Sequence, residues 1–259
     1  MIRVMRLGEP RVLAERRARW QATYDQKRAR TPGARPESRQ YAHPEVIDTL
    51  RAMSHGKCFY CEGLGTSVDH HVEMGAAPLE QQMSLSSGLR AAKGRGLGSP
   101  EAAWRPGRGR IATVPEEPHP VEIAERGDLA FTWTNLYLAC DHCQKKVPNT
   151  SIPVGACVDP CDADTDPADH LEFVGELISH RTPKGEETIK KYRLKQLDNE
   201  RRRHLQRFTE ELIEIGKTKP WPEMSAVERE RLRRHAREDA PFSMMFRAFL
   251  DRHGLLRDG

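Results

Sequence analysis

Apolar residues fall at helical intervals in several separated stretches of the chain, with polar or proline-rich breaks between them. Residues 10–30 (PRVLAERRARWQATYDQKRAR) predict a charged helix with sparse apolar anchors at Leu13, Trp20 and Tyr24. TPGARPES at 31–38 breaks it with two prolines and a glycine. Residues 44–55 predict a second helix: Pro44 suits a first helical position, and Val46, Ile47, Leu50 and Met53 recur at helical spacing. Residues 66–73 (TSVDHHVE) carry β-branched side chains near both ends and predict one arm of a hairpin. The aromatic and aliphatic run 129–139 (LAFTWTNLYLA) leads directly into Cys140. Residues 171–217 read as leucine- and charge-rich, with a helix start at Thr182 and a stop at Gly216. Leu194, Leu197, Leu205, Phe208, Leu212, Ile213 and Ile215 supply its apolar face. Lys219-Pro220-Trp221-Pro222 punctuates, and two further helices are predicted at 225–238 and 241–253.

One stretch has no such periodicity. Residues 75–127, rich in Gly, Ser, Pro and Arg, read as a long loop-like insertion. Its Arg90, Lys93, Arg95, Arg105, Arg108 and Arg110 make it the most one-sided basic stretch of the chain, either a solvated linker or a nucleic-acid contact. The predicted architecture is α+β and mainly helical, with a small β-containing centre. Composition agrees: 37% hydrophobic and 31% charged residues are lean for a globular protein, yet not lean enough for disorder throughout the 259 residues. The net charge of +4 is too mild, and its signs too interspersed, to prove nucleic-acid binding. No apolar run approaches a membrane span, and MIRVMRLGEPRVLAERRARW has no apolar core after its basic residues, so a cytoplasmic protein is expected.

The chemistry gathers in the β-containing centre. Cys58 and Cys61 form one C-x2-C pair, and Cys140 and Cys143 form another. Each pair brings two thiolates within reach of one ion, and two pairs complete a tetrahedral four-cysteine zinc site. The 78 residues between the inner cysteines exceed the usual zinc-ribbon spacing. Neither pair opens a helix in a βαβ pattern, which disfavours thiol redox chemistry. Cys157 and Cys161 are expected to pack as small hydrophobes, since a second zinc site would need further ligands such as His170 or His180. Between the knuckles lies Asp69-His70-His71, a compact source of a metal ligand and a general base. Asn135 precedes the second knuckle, where an asparagine ordinarily caps a turn.

The order of CFYC, VDHHVE, WTNLYLAC and CDHCQKK resembles the HNH endonuclease family, in the part whose ββα-metal core sits on a four-cysteine zinc scaffold. CVDP, DPADHLEF, GELI, GEETIKKYRLKQL and NERRR within 157–203, with MIRVMRLGEP and CFYCE, resemble one branch of it. That branch is the HNH nuclease subunit found with retrons and with Septu-type anti-phage systems. The resemblance implies an N-terminal helical segment over 1–55, an HNH core over 56–160 that includes the insertion, and a C-terminal helical region over 161–259. It implies His70 as the general base, Asp69 as ligand to a catalytic Mg2+ or Mn2+, and Asn135 as the brace of the loop that orients the base. Cys58, Cys61, Cys140 and Cys143 would hold structural Zn2+.

Two positions depart from the pattern: the family usually has His or Asn directly after the last cysteine, and the branch an apolar residue where His71 stands. Gln144 takes the first place as the second ligand; His142 could substitute only with a rearranged turn, and His71 is a substitute ligand because strand alternation puts it on the face of Asp69. Arg105, Arg108, Arg110, Lys145 and Lys146 are the candidate nucleic-acid contacts, and the ERRRH run at 200–204 reads as a solvated helix face. The resemblance further implies a partner subunit, an ABC or SMC-like ATPase, sometimes with a retron. The chain has no Gly-rich phosphate loop of its own. Phe242, Met244, Met245, Phe246, Phe249 and Leu250 read either as a docking surface or as core. The expected activity is metal-dependent phosphodiester hydrolysis, with DNA the favoured substrate and RNA the second. The competing expectation is a non-catalytic zinc-dependent binding subunit with a degenerate site.

Overall fold

The computed structural model of the chain describes residues 1–31, 33–72, 126–217 and 223–256. Arg105, Arg108 and Arg110, the rest of the insertion up to residue 125, and the Lys219–Pro222 break lie outside the described residues. The described residues are mainly helical, with two separate two-stranded antiparallel sheets. No helix among them is long and apolar enough to cross a membrane.

The N-terminal third follows the sequence pattern closely. Helix α1 (Arg11–Arg30) buries Val12, Leu13 and Tyr24 and carries Lys27, Arg28 and Arg30 in its last turn, where cations suit the helix dipole. Its Trp20 and Tyr24 pack on Phe131 at 5.9 and 6.2 Å. A single turn, α2 (Ser38–Tyr41), precedes α3 (Pro44–Ser54). The His43 side chain accepts from the Glu45 amide to cap α3, and Pro44 opens it without losing a hydrogen bond. Val46 and Leu50 are fully buried.

The first sheet joins β1 (Ser67–His70) to β2 (Leu136–Ala139), pairing Ser67 with Ala139, Val68 with Leu138, Asp69 with Tyr137 and His70 with Leu136. All of β2 is buried. A four-residue helix, α4 (Asp141–Gln144), follows directly. Strand, strand and a single helical turn thus make up the centre.

Beyond it the fold departs from the sequence reading. After one turn, α5 (Pro167–His170), the second sheet pairs β3 (Leu171–Val174) with β4 (Leu177–His180) where a leucine-rich helical region was expected. Its arms are only four residues long, too short for alternation to stand out, although Gly175 at φ +60° opens a two-residue turn. The helix expected from Thr182 to Gly216 is two helices, α6 (Pro183–Lys191) and α7 (Asp198–Gly216). Arg193 in the left-handed region (φ +52°) and a 3-10 turn at Leu194–Leu197 separate them. Helices α8 (Ala226–Arg233) and α9 (Ser243–Arg252) match the two terminal predictions, α8 beginning in a full Ser225–Glu228 capping box.

The structure chooses core among the two readings of the Phe242–Leu250 cluster, and it departs from the solvated reading of the ERRRH run at Arg201. Phe242, Met244, Met245, Phe246 and Leu250 are buried in the core, and Phe249 packs on Phe208 at 5.4 Å, so this cluster offers no docking surface. Arg201 of the ERRRH run is 1% exposed, its guanidinium donating to the Glu176 and Leu194 carbonyls and to Asp198. The terminal helix is tied back to the first knuckle: the buried Glu62 carboxylate accepts from the Ser243 hydroxyl and the Met244 amide.

Candidate functional site

The four knuckle cysteines converge. Their sulfurs all lie within 4.8 Å of one another, and Cys61 and Cys140 are 3.6 Å apart. A tetrahedral zinc–thiolate site, with bonds of about 2.3 Å, separates its sulfurs by roughly 3.8 Å, so this cluster is a near-formed cage for a metal such as zinc. Local backbone builds it. The Cys58 amide donates to the Gly63 carbonyl at 2.6 Å, closing a turn that puts Glu62 at φ +66°, and the Gly63 amide donates to Cys61 Sγ at 3.4 Å. On the other side Cys140 caps α4, its Sγ accepting from the Cys143 amide. The Phe59 amide donates to the Leu138 carbonyl at 2.9 Å, locking the first knuckle to β2. All six cysteines are free thiols. Hydrogen bonds from Cys143, Cys58 and Cys61 pull the Cys140 thiol well below its ordinary pKa, while the bond to Cys140 pushes Cys143 and Cys61 up. Cys157 and Cys161 lie outside the cluster, with pKa values raised by burial to about 11 and about 12.

His70 ends β1, and its imidazole Nε2 lies 2.9 Å from the Ala130 carbonyl oxygen. A carbonyl only accepts, so Nε2 carries the proton and Nδ1 keeps the lone pair. Burial lowers the pKa of His70 to about 4, so the ring is neutral at physiological pH. The Tyr41 ring stands edge-on against it at 4.6 Å. Sequence reasoning missed both Ala130 and Tyr41, because neither residue type announces a contact made across a fold.

Asn135 holds the loop that bears Ala130. Its Oδ1 accepts from the Val72 amide at 2.6 Å, and its Nδ2 donates to the Val72 and Leu129 carbonyls at 3.1 and 3.2 Å. Its own carbonyl accepts from the His71 amide at 2.9 Å. One buried side chain therefore fastens the end of β1 to the 129–135 loop. The arrangement is a side-chain staple between two segments rather than a simple turn cap.

Alternation places Ser67 and Asp69 on the opposite side of β1 from His70. On that side the Asp69 carboxylate is largely buried, and burial raises its pKa against the opposing pull of Lys146. Its Oδ2 accepts from the Lys146 ammonium and, at 3.3 Å, from the Tyr60 hydroxyl. Gln144 donates its amide to the Ser67 hydroxyl, leaving its carbonyl oxygen as the acceptor end. A carboxylate and an amide oxygen are donor types that a hard cation takes, so Asp69 and Gln144 are the residues that would hold one. Among the described residues, the converging group of three or more His, Cys, Asp or Glu side chains is the four-cysteine cluster, which does not include Asp69.

Two expected roles do not fit this geometry. His71 adjoins Asp69 as alternation requires, but it is 7% exposed and lies within a tyrosine stack, 4.5 Å from Tyr137. Its Nδ1 faces the Tyr60 and Tyr192 hydroxyls, each at 3.3 Å. Burial keeps those hydroxyls protonated and lowers His71 to about 3, so the ring is neutral, and with both hydroxyls packed against Nδ1 that nitrogen has no place for a metal. Lys146, expected at a nucleic-acid face, is buried beneath Asp69. Lys145 remains exposed. Comparison of the chain with protein-family models, curated proteins and solved structures finds no match.

Proposed function

We propose that this chain is a metal-dependent endonuclease of the HNH type that hydrolyses phosphodiester bonds, with DNA favoured and RNA second. The observation that carries the reading is His70: a neutral imidazole whose Nε2–H is fixed on the Ala130 carbonyl, leaving Nδ1 as the base, at the end of a strand held by a four-cysteine cluster. In this reading Nδ1 takes a proton from the attacking water while the Ala130 carbonyl steadies the imidazolium that forms. Asn135 acts through Ala130, holding the loop so that the ring keeps one orientation. Zinc held by the four cysteines would tie the 58–61 knuckle to the end of β2 and to α4, a task that so small a unit cannot perform by hydrophobic burial alone. A divalent ion held by Asp69 and Gln144, on the face of β1 opposite His70, would supply Lewis-acid stabilisation of charge on the phosphate and on the leaving 3′ oxygen. In this reading the substrate must meet both groups around the end of the strand at His70.

The sequence resemblance extends the proposal to an effector subunit of an anti-phage defence system, working beside an ABC or SMC-like ATPase. A second reading, a non-catalytic zinc-dependent subunit that binds nucleic acid or a partner, draws on the engagement of both candidate ion ligands, Asp69 by Lys146 and Gln144 by Ser67. The two part on one experiment. Zinc-loaded protein is incubated with plasmid DNA, single-stranded DNA and total RNA in Mg2+ or Mn2+, alone and with its ATPase. The nuclease reading expects nicks bearing 5′-phosphate and 3′-hydroxyl ends. Salt-sensitive binding with no cleavage under any of these conditions favours the second reading.

A further inference from the structure

The cation that Asp69 holds is part of the chain itself. Lys146 lies three residues beyond Cys143, just past α4, and its side chain is 4% exposed against 13% for that of Asp69. Its ammonium donates to Asp69 Oδ2 and, at 2.5 Å, to the His70 backbone carbonyl. Two of its three donors are thus spent on adjacent residues of β1, one on a side chain and one on the main chain. This differs from the exposed ion pairs elsewhere in the molecule, such as Arg11–Glu15, whose side chains are 84% and 53% exposed. A buried carboxylate needs a countercharge, and here an internal ammonium provides it. A divalent ion approaching the same carboxylate meets a positive charge already in place, only a few ångströms away and poorly screened by water.

We propose that Lys146 is a resident counter-cation which a divalent ion must displace from Asp69, so that loading this site exchanges an internal ammonium for an external cation. The proposal rests on reading Asp69 as a ligand, but not on cleavage. Displacement would free the ammonium of a lysine whose side chain is buried while it is paired with Asp69. The exchange also assigns Lys146 a positioning role: without a divalent ion it fixes the Asp69 carboxylate and the end of β1 in register.

The test uses full-length, zinc-loaded protein and Mn2+ followed by electron paramagnetic resonance. Lys146→Gln removes the charge and keeps a hydrogen-bond donor, so Asp69 is not stripped of its partner. It is expected to bind Mn2+ at least tenfold more tightly than wild type, and Asp69→Asn is expected to abolish that binding in both backgrounds. On wild type alone, reductive methylation read by mass spectrometry should find Lys146 protected without Mn2+ and modified at saturating Mn2+. Equal or weaker Mn2+ binding by Lys146→Gln, binding indifferent to Asp69→Asn, no binding by either protein, or a Lys146 still protected at saturation would each overturn the proposal. Exchange without cleavage would leave it standing and count against the nuclease reading. Cleavage with an unchanged Mn2+ affinity in Lys146→Gln would do the reverse.

Discussion

The molecule contains two hairpins of equal length, four residues per arm, held in opposite ways. The β3–β4 hairpin is local: a two-residue turn at Gly175–Glu176 joins its arms, and it packs on α9 and α6. The β1–β2 hairpin is not. His70 and Leu136 are paired neighbours although 65 residues separate them in sequence, so no two-residue turn joins the strands. Cysteines, the Asn135 staple and the Lys146–Asp69 pair hold them instead. The difference lies in what each buries. The hairpin fixed by its own turn carries its titratable side chains, Glu172 and His180, toward solvent, while the one assembled by long-range polar and thiol contacts holds Asp69 and His70 largely buried.

Removing the metal should break this contrast most severely. Chelation, or Cys140→Ser, is expected to lower amide exchange protection across Val68–His70 and Leu136–Ala139 by on the order of 100-fold. Protection in β3–β4 should fall much less, and equal losses would contradict the separation. Next comes Asn135→Ala, which strips three side-chain hydrogen bonds and leaves the Val72 amide without its acceptor. A loss of about 3 kcal/mol is expected in denaturant unfolding, with a fall in cleavage that zinc content does not explain.

The complementary change lies at the other hairpin. A Cβ on Gly185 would stand 2.1 Å from the His170 carbonyl oxygen, so Gly185→Ala should destabilise the chain by about 1–3 kcal/mol while zinc content and cleavage hold. The smallest effect near neutrality is that of pH. Burial lowers His70 to about 4 and His71 to about 3, whereas both titrate near 6.5 once unfolded. Protons therefore favour the unfolded chain: the stability that depends on these neutral rings is complete above pH 6.5 and declines as pH falls toward 4 and 3. Exchange protection, corrected for intrinsic rates, should weaken first in β1–β2 on acidification. Cleavage should show no inflection near 6.5 from His70.

Sequence revealed the two regions unequally, for the same physical reason. Helices α1, α3, α8 and α9 were legible because periodicity and capping act within a few residues. The knuckles were legible because C-x2-C is a local geometric requirement, and the structure brings all four sulfurs together. The β3–β4 hairpin and the break at Arg193 were not, since four-residue arms and a single left-handed non-glycine residue leave almost no pattern. Within the candidate site, Asp69, His70 and Asn135 stood out by residue type. Their partners Ala130, Tyr41 and Tyr192 did not, because each is recruited from a distant segment. Lys146 was visible as a charge, but its burial under Asp69 is a product of the tertiary fold.

The account stands most directly on His70. The measurement is the cleavage rate of His70→Ala beside wild type on the substrate that wild type cuts, with zinc content and thermal unfolding recorded for both. A fall of roughly 100-fold or more in the mutant, with zinc retained and the fold intact, is the predicted result. A zinc-loaded His70→Ala that cuts at the wild-type rate would contradict the assignment of the base, and with it the nuclease reading built on that residue.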